Sequence, residues 1–221
     1  MLEKLNMKQL ILNLEKRHRK EFKKISQEMD AIYPALQVVH KTDTTSVPDC
    51  KFLQLLCLDV KPKKIIEIGT WIGSTAYALS AATKETKAMI YTCDINDEFV
   101  NRGCELSERI KIYPQTWSST FLNDTDTLLG TDFIFNDADI RVPDCEKIYD
   151  LAAEEFVFTT HDYFNATGGF EKGYRAIQAM LHVLKTKGAS FTFYLPEEDW
   201  YFSGYNGING CVALIRCKKA V

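Results

Sequence analysis

Nowhere does this chain of 221 residues approach the roughly 20 consecutive apolar residues that a membrane-spanning helix needs. The opening MLEKLNMKQL is too charged for a secretory signal, so the mature chain is expected to start here and to reside in the cytoplasm. The Asn-x-Thr sequons at Asn123 and Asn165 then carry no weight. Neither sign of charge dominates: 27 Lys and Arg face 30 Asp and Glu, a formal net charge of -3, which gives nucleic acid no electrostatic footprint. The 7 cysteines (Cys50, Cys57, Cys93, Cys104, Cys145, Cys211 and Cys217) are odd in number and hold no CxxC pair, which disfavours zinc ribbons, fingers and thioredoxin-type sites. Cys93, Cys211 and Cys217 lie in apolar, strand-like runs and read as small core residues. No repeat or low-complexity linker divides the chain. With 46% hydrophobic residues it can bury a core without disulfide staples.

What is present begins with an appendage, residues 1–44. Met7, Ile11, Leu14, His18, Phe22, Ile25, Met29 and Ile32 recur every three or four positions, one helical stripe that Pro34 is expected to end. The opposite face carries Lys16, Arg17, Arg19, Lys20, Lys23 and Lys24, interrupted by Glu15, Glu21 and Glu28, the pattern of a solvated face rather than a membrane or nucleic-acid helix. The stripe is long for one domain to cover, so a homodimer packed through it is expected.

Residues 45–221 form the main domain. The runs KIIEIG (64–69), MIYTCD (89–94), IKIYPQ (110–115), DFIFND (132–137) and EFVFTTHD (155–162) alternate with helical stretches, among them Ser74–Ala82, Glu98–Ser107 and Gly173–Lys187. Near-continuous apolar strands between helices predict a parallel sheet covered on both faces. ASFTFYL (189–195) and GCVALIR (210–216) follow with no helix between them and predict an antiparallel pair closing the sheet. The expected fold is α/β: a doubly wound, seven-stranded, mostly parallel sheet with a C-terminal antiparallel hairpin and an N-terminal helical appendage.

Ligands of such sheets bind beyond the carboxyl ends of the strands. Those ends carry Glu67-Ile68-Gly69-Thr70-Trp71-Ile72-Gly73-Ser74, then Asp94, then Asp137-Ala138-Asp139, then His161-Asp162-Tyr163. Gly69 lets the chain turn sharply, Gly73 permits close approach to the backbone, and Asp94 is placed to accept both hydroxyls of a ribose. The glycines are spaced Gly-x-x-x-Gly, not Gly-x-Gly-x-x-Gly, and no Lys or Arg stands in the loop. That spacing disfavours a nicotinamide-dependent oxidoreductase. An acidic Glu67 before the turn suits a cationic ligand, and S-adenosylmethionine, with its sulfonium and ammonium, is one.

EIGTWIGSTAYALS followed by the strand ending in Asp94 resembles the first two motifs of class I S-adenosylmethionine-dependent methyltransferases. It is nearest to the small-molecule O-methyltransferases of the catechol, caffeoyl-CoA and macrocin types, whose loop reads Glu-Ile-Gly-Thr-x-x-Gly-x-Ser, matched by Glu67, Ile68, Gly69, Thr70, Gly73 and Ser74. TSVPDCKFLQLL before it is similar to that group's lead-in helix. The resemblance covers about residues 45–216 and implies a Rossmann-like methyltransferase fold, S-adenosylmethionine as cofactor and O-methylation of a small hydroxylated metabolite. It places Trp117 and Ser118 near the cofactor's adenine; Trp71, by its ring, is a further candidate to stack on the adenine or line an acceptor pocket, and Asp137 and Asp162, if they hold no metal, are candidates to cap helices or to hold the cofactor's amino-acid end. It further implies a Mg²⁺ ion held by Asp137, Asp162 and, if it is not the base, His161, since a divalent ion orients an acceptor hydroxyl and lowers its pKa. Asp137 and His161 are the candidate catalytic residues.

Two departures stand out. Ile140 and Arg141 occupy the place of the catechol-type general-base lysine, leaving His161 as the candidate base, because arginine cannot serve at neutral pH. Ala152-Ala153-Glu154-Glu155 replaces the usual Pro-Gly-Gly. These departures keep a second reading open, a catalytically inactive cofactor-binding interaction module dimerising through its N-terminal helix. The Tyr- and Asn-rich segment Trp200–Asn209 is the expected acceptor lid.

Overall fold

Alternating branched and aromatic residues build the central strands of the computed structural model, which describes residues 4–37, 45–96, 107–163, 171–197, 200 and 203–220. In chain order the elements are β1 (Lys4–Leu5), α1 (Met7–Arg17), α2 (Arg19–Gln37), α3 (Val47–Val60), β2 (Lys64–Ile68), α4 (Ser74–Ala82), β3 (Met89–Cys93), β4 (Ile110–Tyr113), α5 (Ser118–Phe121) and α6 (Thr125–Leu128). There follow β5 (Thr131–Asn136), α7 (Val142–Leu151), β6 (Ala152–Thr160), α8 (Glu171–Thr186), β7 (Ser190–Tyr194) and β8 (Ala213–Lys218). Cys104, Asn165 and the helix expected over Glu98–Ser107, save Ser107 itself, lie outside the described residues.

The sheet order is β1-β7-β8-β6-β5-β2-β3-β4. The pairs from β6 through β4 are parallel, whereas β8 is antiparallel to both β6 and β7. This is the seven-stranded arrangement expected from the sequence, with the two-residue β1 added at one edge, parallel to β7. Side chains alternate between two apolar layers. Ile66, Ile134 and Phe158 pack with α7 and α8, while Ile65, Phe133 and Val157 pack with α1, α3 and α4. Both faces are thereby buried, as a parallel sheet requires.

The N-terminal stripe folds as two helices. α1 ends where the backbone N–H of His18 donates to the Leu14 carbonyl at 2.9 Å, and α2 starts at Arg19. Met7, Ile11, Leu14, Phe22 and Ile25 are buried with Phe52, Leu53 and Leu56 of α3, so the chain's own body covers the stripe without a second subunit. Pro34 does not end α2, contrary to expectation; the helix continues to Gln37. The proline deprives only the Asp30 carbonyl of its partner, and both residues are exposed, so water can serve it. No helix among the described residues is long and apolar enough to cross a membrane.

Candidate active site

Two sharp turns set the site. After β2, Gly69 adopts φ +96°, and a Cβ placed there would lie 3.1 Å from the Asp137 carbonyl, so only glycine lets the ends of β2 and β5 approach so closely. Its N–H donates to the Cys93 carbonyl at 2.9 Å, tying the turn to β3. Gly73 (φ +77°) then starts α4. The backbone N–H of Trp71 donates to Oδ2 of Asp94 at 2.8 Å, and that of Asn96 donates to Oδ1 at 2.9 Å. Asp94 thus braces the glycine loop, and its carboxylate keeps lone pairs for further donors.

Above these strand ends lies a cleft of about 760 Å³, within the range of small-molecule pockets. Of the residues singled out from the sequence, Gly69, Thr70, Trp71, Ser74, Asp94, Trp117, Ser118 and Asp137 line it, and Gly73 stands at the helix start behind it. Ile95 and Trp117, 50% and 66% exposed, offer it apolar surface.

Glu67 is placed differently from the expectation of an acidic group facing the ligand. It is fully buried behind the loop, where Thr92 donates to its Oε2 at 2.6 Å, and the Thr92 hydroxyl lies 2.5 Å from that of Thr70. Burial, helped by the Asp137 and Asp94 charges and opposed by the Thr92 bond, raises its carboxyl to about 8. Its Oε1 is buried with no hydrogen-bond partner among the described residues. The negative charge at the cleft comes instead from Asp94, Asp137 and Asp139.

The second half of the site gathers where β5 and β6 end. Ligating atoms of Asp137, His161 and Asp162 lie within 4.8 Å of one another, so the three candidate metal residues do converge. Nδ1 of His161 is 3.2 Å from Asp137 Oδ1 and 3.1 Å from Asp162 Oδ1, and Nε2 is 3.4 Å from Oδ2 of the buried Asp49. Burial alone would lower the ring's pKa, but Asp137 and the hydrogen bonds to Asp137 and Asp162 raise it well above the ordinary value. Both ring nitrogens face carboxylates, and His161, expected from the sequence as the base, is not among the residues lining the cleft. Asp49 is oriented by the Ser46 hydroxyl at 2.5 Å and the Cys211 backbone N–H at 2.8 Å.

Sequence reasoning missed Lys172. From α8 its ammonium reaches Asp137 Oδ1 at 2.7 Å, Asp162 Oδ2 at 2.9 Å and the Asp137 carbonyl at 3.1 Å. The nearest sequence signal is its neighbour Gly173, where a Cβ would lie 2.1 Å from the His161 carbonyl and 2.6 Å from that of Asp162. Only glycine lets α8 press against the end of β6 and hold Lys172 over both carboxylates. Burial would raise the Asp162 carboxyl, but the His161 bond and charge and the Lys172 charge lower it to about 2; both carboxylates in turn raise the Lys172 ammonium, against its burial.

Burial pushes the thiols of Cys93, Cys211 and Cys217 up to about 12, as suits core residues. In the expected lid, Trp200 and Ile208 are buried in the core layer and the Asn209 N–H donates to the Pro48 carbonyl at 2.7 Å, while Ser203 and Asn206 between them are exposed.

A parallel sheet with one antiparallel insertion, a glycine turn after its first long strand and an acidic residue ending the next define the Rossmann-like methyltransferase fold, and this chain has it. An O-methyltransferase from Bacillus cereus, solved with S-adenosylhomocysteine, superposes with a TM-score of 0.58 over 89% of this chain and 91% of its own, at 17% identity. The S-adenosylhomocysteine-bound methyltransferase PaMTH1 of Podospora anserina gives 0.57 over 100% and 99%, at 15% identity. At such identities the likeness establishes the fold. A stretch of 55 residues is 34% identical to O-methyltransferase hkm8 of Aspergillus hancockii, 25% of this chain but only 22% of that protein's length. No protein-family model matches the chain.

Proposed function

We propose that this protein is an S-adenosylmethionine-dependent methyltransferase acting on a hydroxyl of a small metabolite. The observation that carries the reading is the cleft at the ends of β2, β3 and β5, where the Gly69 turn abuts Asp137 and Asp94 braces the loop. The residues fit the cofactor: the cleft has the volume, Asp94 retains acceptor capacity for a ribose, and Trp117 offers a flat aromatic face and Ile95 an apolar one for an adenine. The neighbours solved with S-adenosylhomocysteine support the reading, since they share the fold.

When bound, S-adenosylmethionine supplies a methyl already activated by its sulfonium. What remains for the protein is to hold donor and acceptor in line and exclude water, which is catalysis by positioning. Gly69, Asp94 and Trp117 fix one end of the cleft, while Asp137, braced by Lys172 and His161, forms its acidic far side. Lys172, which lines the cleft, presents positive charge to whatever acceptor oxygen is held there.

The residues do not fit the Mg²⁺ implied by the sequence resemblance. Each candidate carboxylate already receives the Lys172 ammonium, so a divalent ion there would meet a cation at hydrogen-bond range. The reading of an inactive module rested partly on the general-base lysine missing after the Asp-x-Asp; Lys172 brings an ammonium to the same carboxylate, as a cation held between two carboxylates rather than as a base.

Calorimetric titration of the full chain with S-adenosylhomocysteine tests the proposal. Saturable binding is expected in the wild type, with Asp94→Ala weakened about tenfold to a hundredfold, the worth of losing charged hydrogen bonds to ribose and loop. Absence of wild-type binding, or undiminished binding by Asp94→Ala, overturns it.

A further inference from the structure

We infer that Lys172 is a built-in cation that takes the place of a divalent metal at the acceptor side of the cleft, so that the protein works without a metal ion there. The inference rests on the methyltransferase reading for its function, but its geometry stands apart from it. An ammonium has three N–H donors. Here Asp137 Oδ1 and Asp162 Oδ2 stand at ion-pair distances of 2.7 and 2.9 Å, and the ammonium donates to the Asp137 carbonyl at 3.1 Å. Lys172 is therefore seated in a tripod of oxygens rather than loosely paired across a surface.

The backbone is arranged around that seat. The close packing of Gly173 against the His161 and Asp162 carbonyls leaves α8 no slack, and Asp162 itself takes φ +54°, a left-handed conformation uncommon for an L-residue. The side chain of Lys172 lines the cleft, so its charge is open to a bound acceptor.

Charge and ligand chemistry agree. Asp137 and Asp162 are both offset by the ammonium of Lys172. A divalent ion added between these carboxylates would lie beside that fixed cation. With the ammonium removed, the carboxylates regain both the space and the uncompensated charge that a hard cation seeks. One lysine thus decides whether this cluster holds a metal.

The test is Mn²⁺ binding to the full chain, read as loss of the free-ion electron paramagnetic resonance signal, in wild type, Lys172→Ala and Lys172→Met. The methionine keeps the apolar stem should the alanine variant fail to fold, and thermal melting reports folding of each. The wild type is expected to leave the Mn²⁺ signal unchanged at concentrations that occupy the site of a folded Lys172 variant, whose affinity rises about tenfold or more. Adding Asp137→Asn to that variant is expected to abolish the gain. Wild-type binding of Mn²⁺ that Asp137→Asn abolishes, or folded Lys172 variants that bind no tighter than wild type, overturns the inference. Calorimetric titration of the same wild-type sample with S-adenosylhomocysteine reports separately on the methyltransferase reading, so failure of either is distinguishable.

Discussion

Glu67 and Lys172 show how burial changes what a charged residue does. Read as sequence, Glu67 was an anion before a glycine turn; in the fold it is enclosed, and its carboxyl is raised to about 8. In the unfolded chain a glutamate titrates near its ordinary value of about 4.3. Between those values the folded state holds a proton that the unfolded state has lost. The group's contribution is thus fully present below pH ~4, declines as pH rises, and is gone above pH ~8. Ligand-free wild type is expected to lose stability on the order of a few kcal/mol across that window relative to Glu67→Gln, which has no carboxyl to ionise. Denaturant unfolding of both proteins between pH 5 and 9 checks this; parallel profiles would contradict it. The cofactor-loop residues were legible because their spacing is local: Gly69 and Asp94 follow strand ends that the apolar runs already mark, and Gly73 opens the helix after the first of them. Lys172 and Asp49 were not, because they reach His161 and its neighbouring carboxylates from α8 and α3, and no local pattern announces a contact made across the fold.

At the scale of elements, strands read as apolar runs appear where expected, and departures occur where a partner rather than local sequence decides. β6 starts at Ala152, three residues before the expected run, directly after α7. Its exposed Glu154 and Glu155 carry no strand pattern, but Glu155 pairs with Lys218 of β8, whose ammonium bonds its carboxylate at 2.8 Å. β1 has only two residues and owes its place to β7. The break between α1 and α2 is likewise tertiary. His18, read as part of one stripe, reaches Asp59 of α3 with Nε2 at 3.3 Å, where Arg17 also bonds and Arg216 of β8 adds a contact at 2.9 Å. This carboxylate fastens the appendage to the domain. Asp59→Ala is expected to lower stability by about 2 kcal/mol, less than a fully buried pair because the two guanidinium groups are partly exposed. Hydrogen exchange should show α1 losing protection before the central strands; unchanged protection of α1 would contradict the assignment.

For the molecule as a whole, the sheet order puts the change of winding direction between β2 and β5, and the cleft opens where open α/β sheets bind ligands. The N-terminal helices complete one apolar layer from within the chain, so the architecture is whole without a partner at that stripe. The central claim is that this cleft cradles S-adenosylmethionine with its sugar on Asp94. A crystal structure of the full chain grown with S-adenosylhomocysteine measures it most directly. The account predicts ribose hydroxyls on the Asp94 carboxylate and the adenine against Ile95 and Trp117. A cleft that stays empty at saturating ligand, or a ligand bound with its ribose away from Asp94, would contradict it.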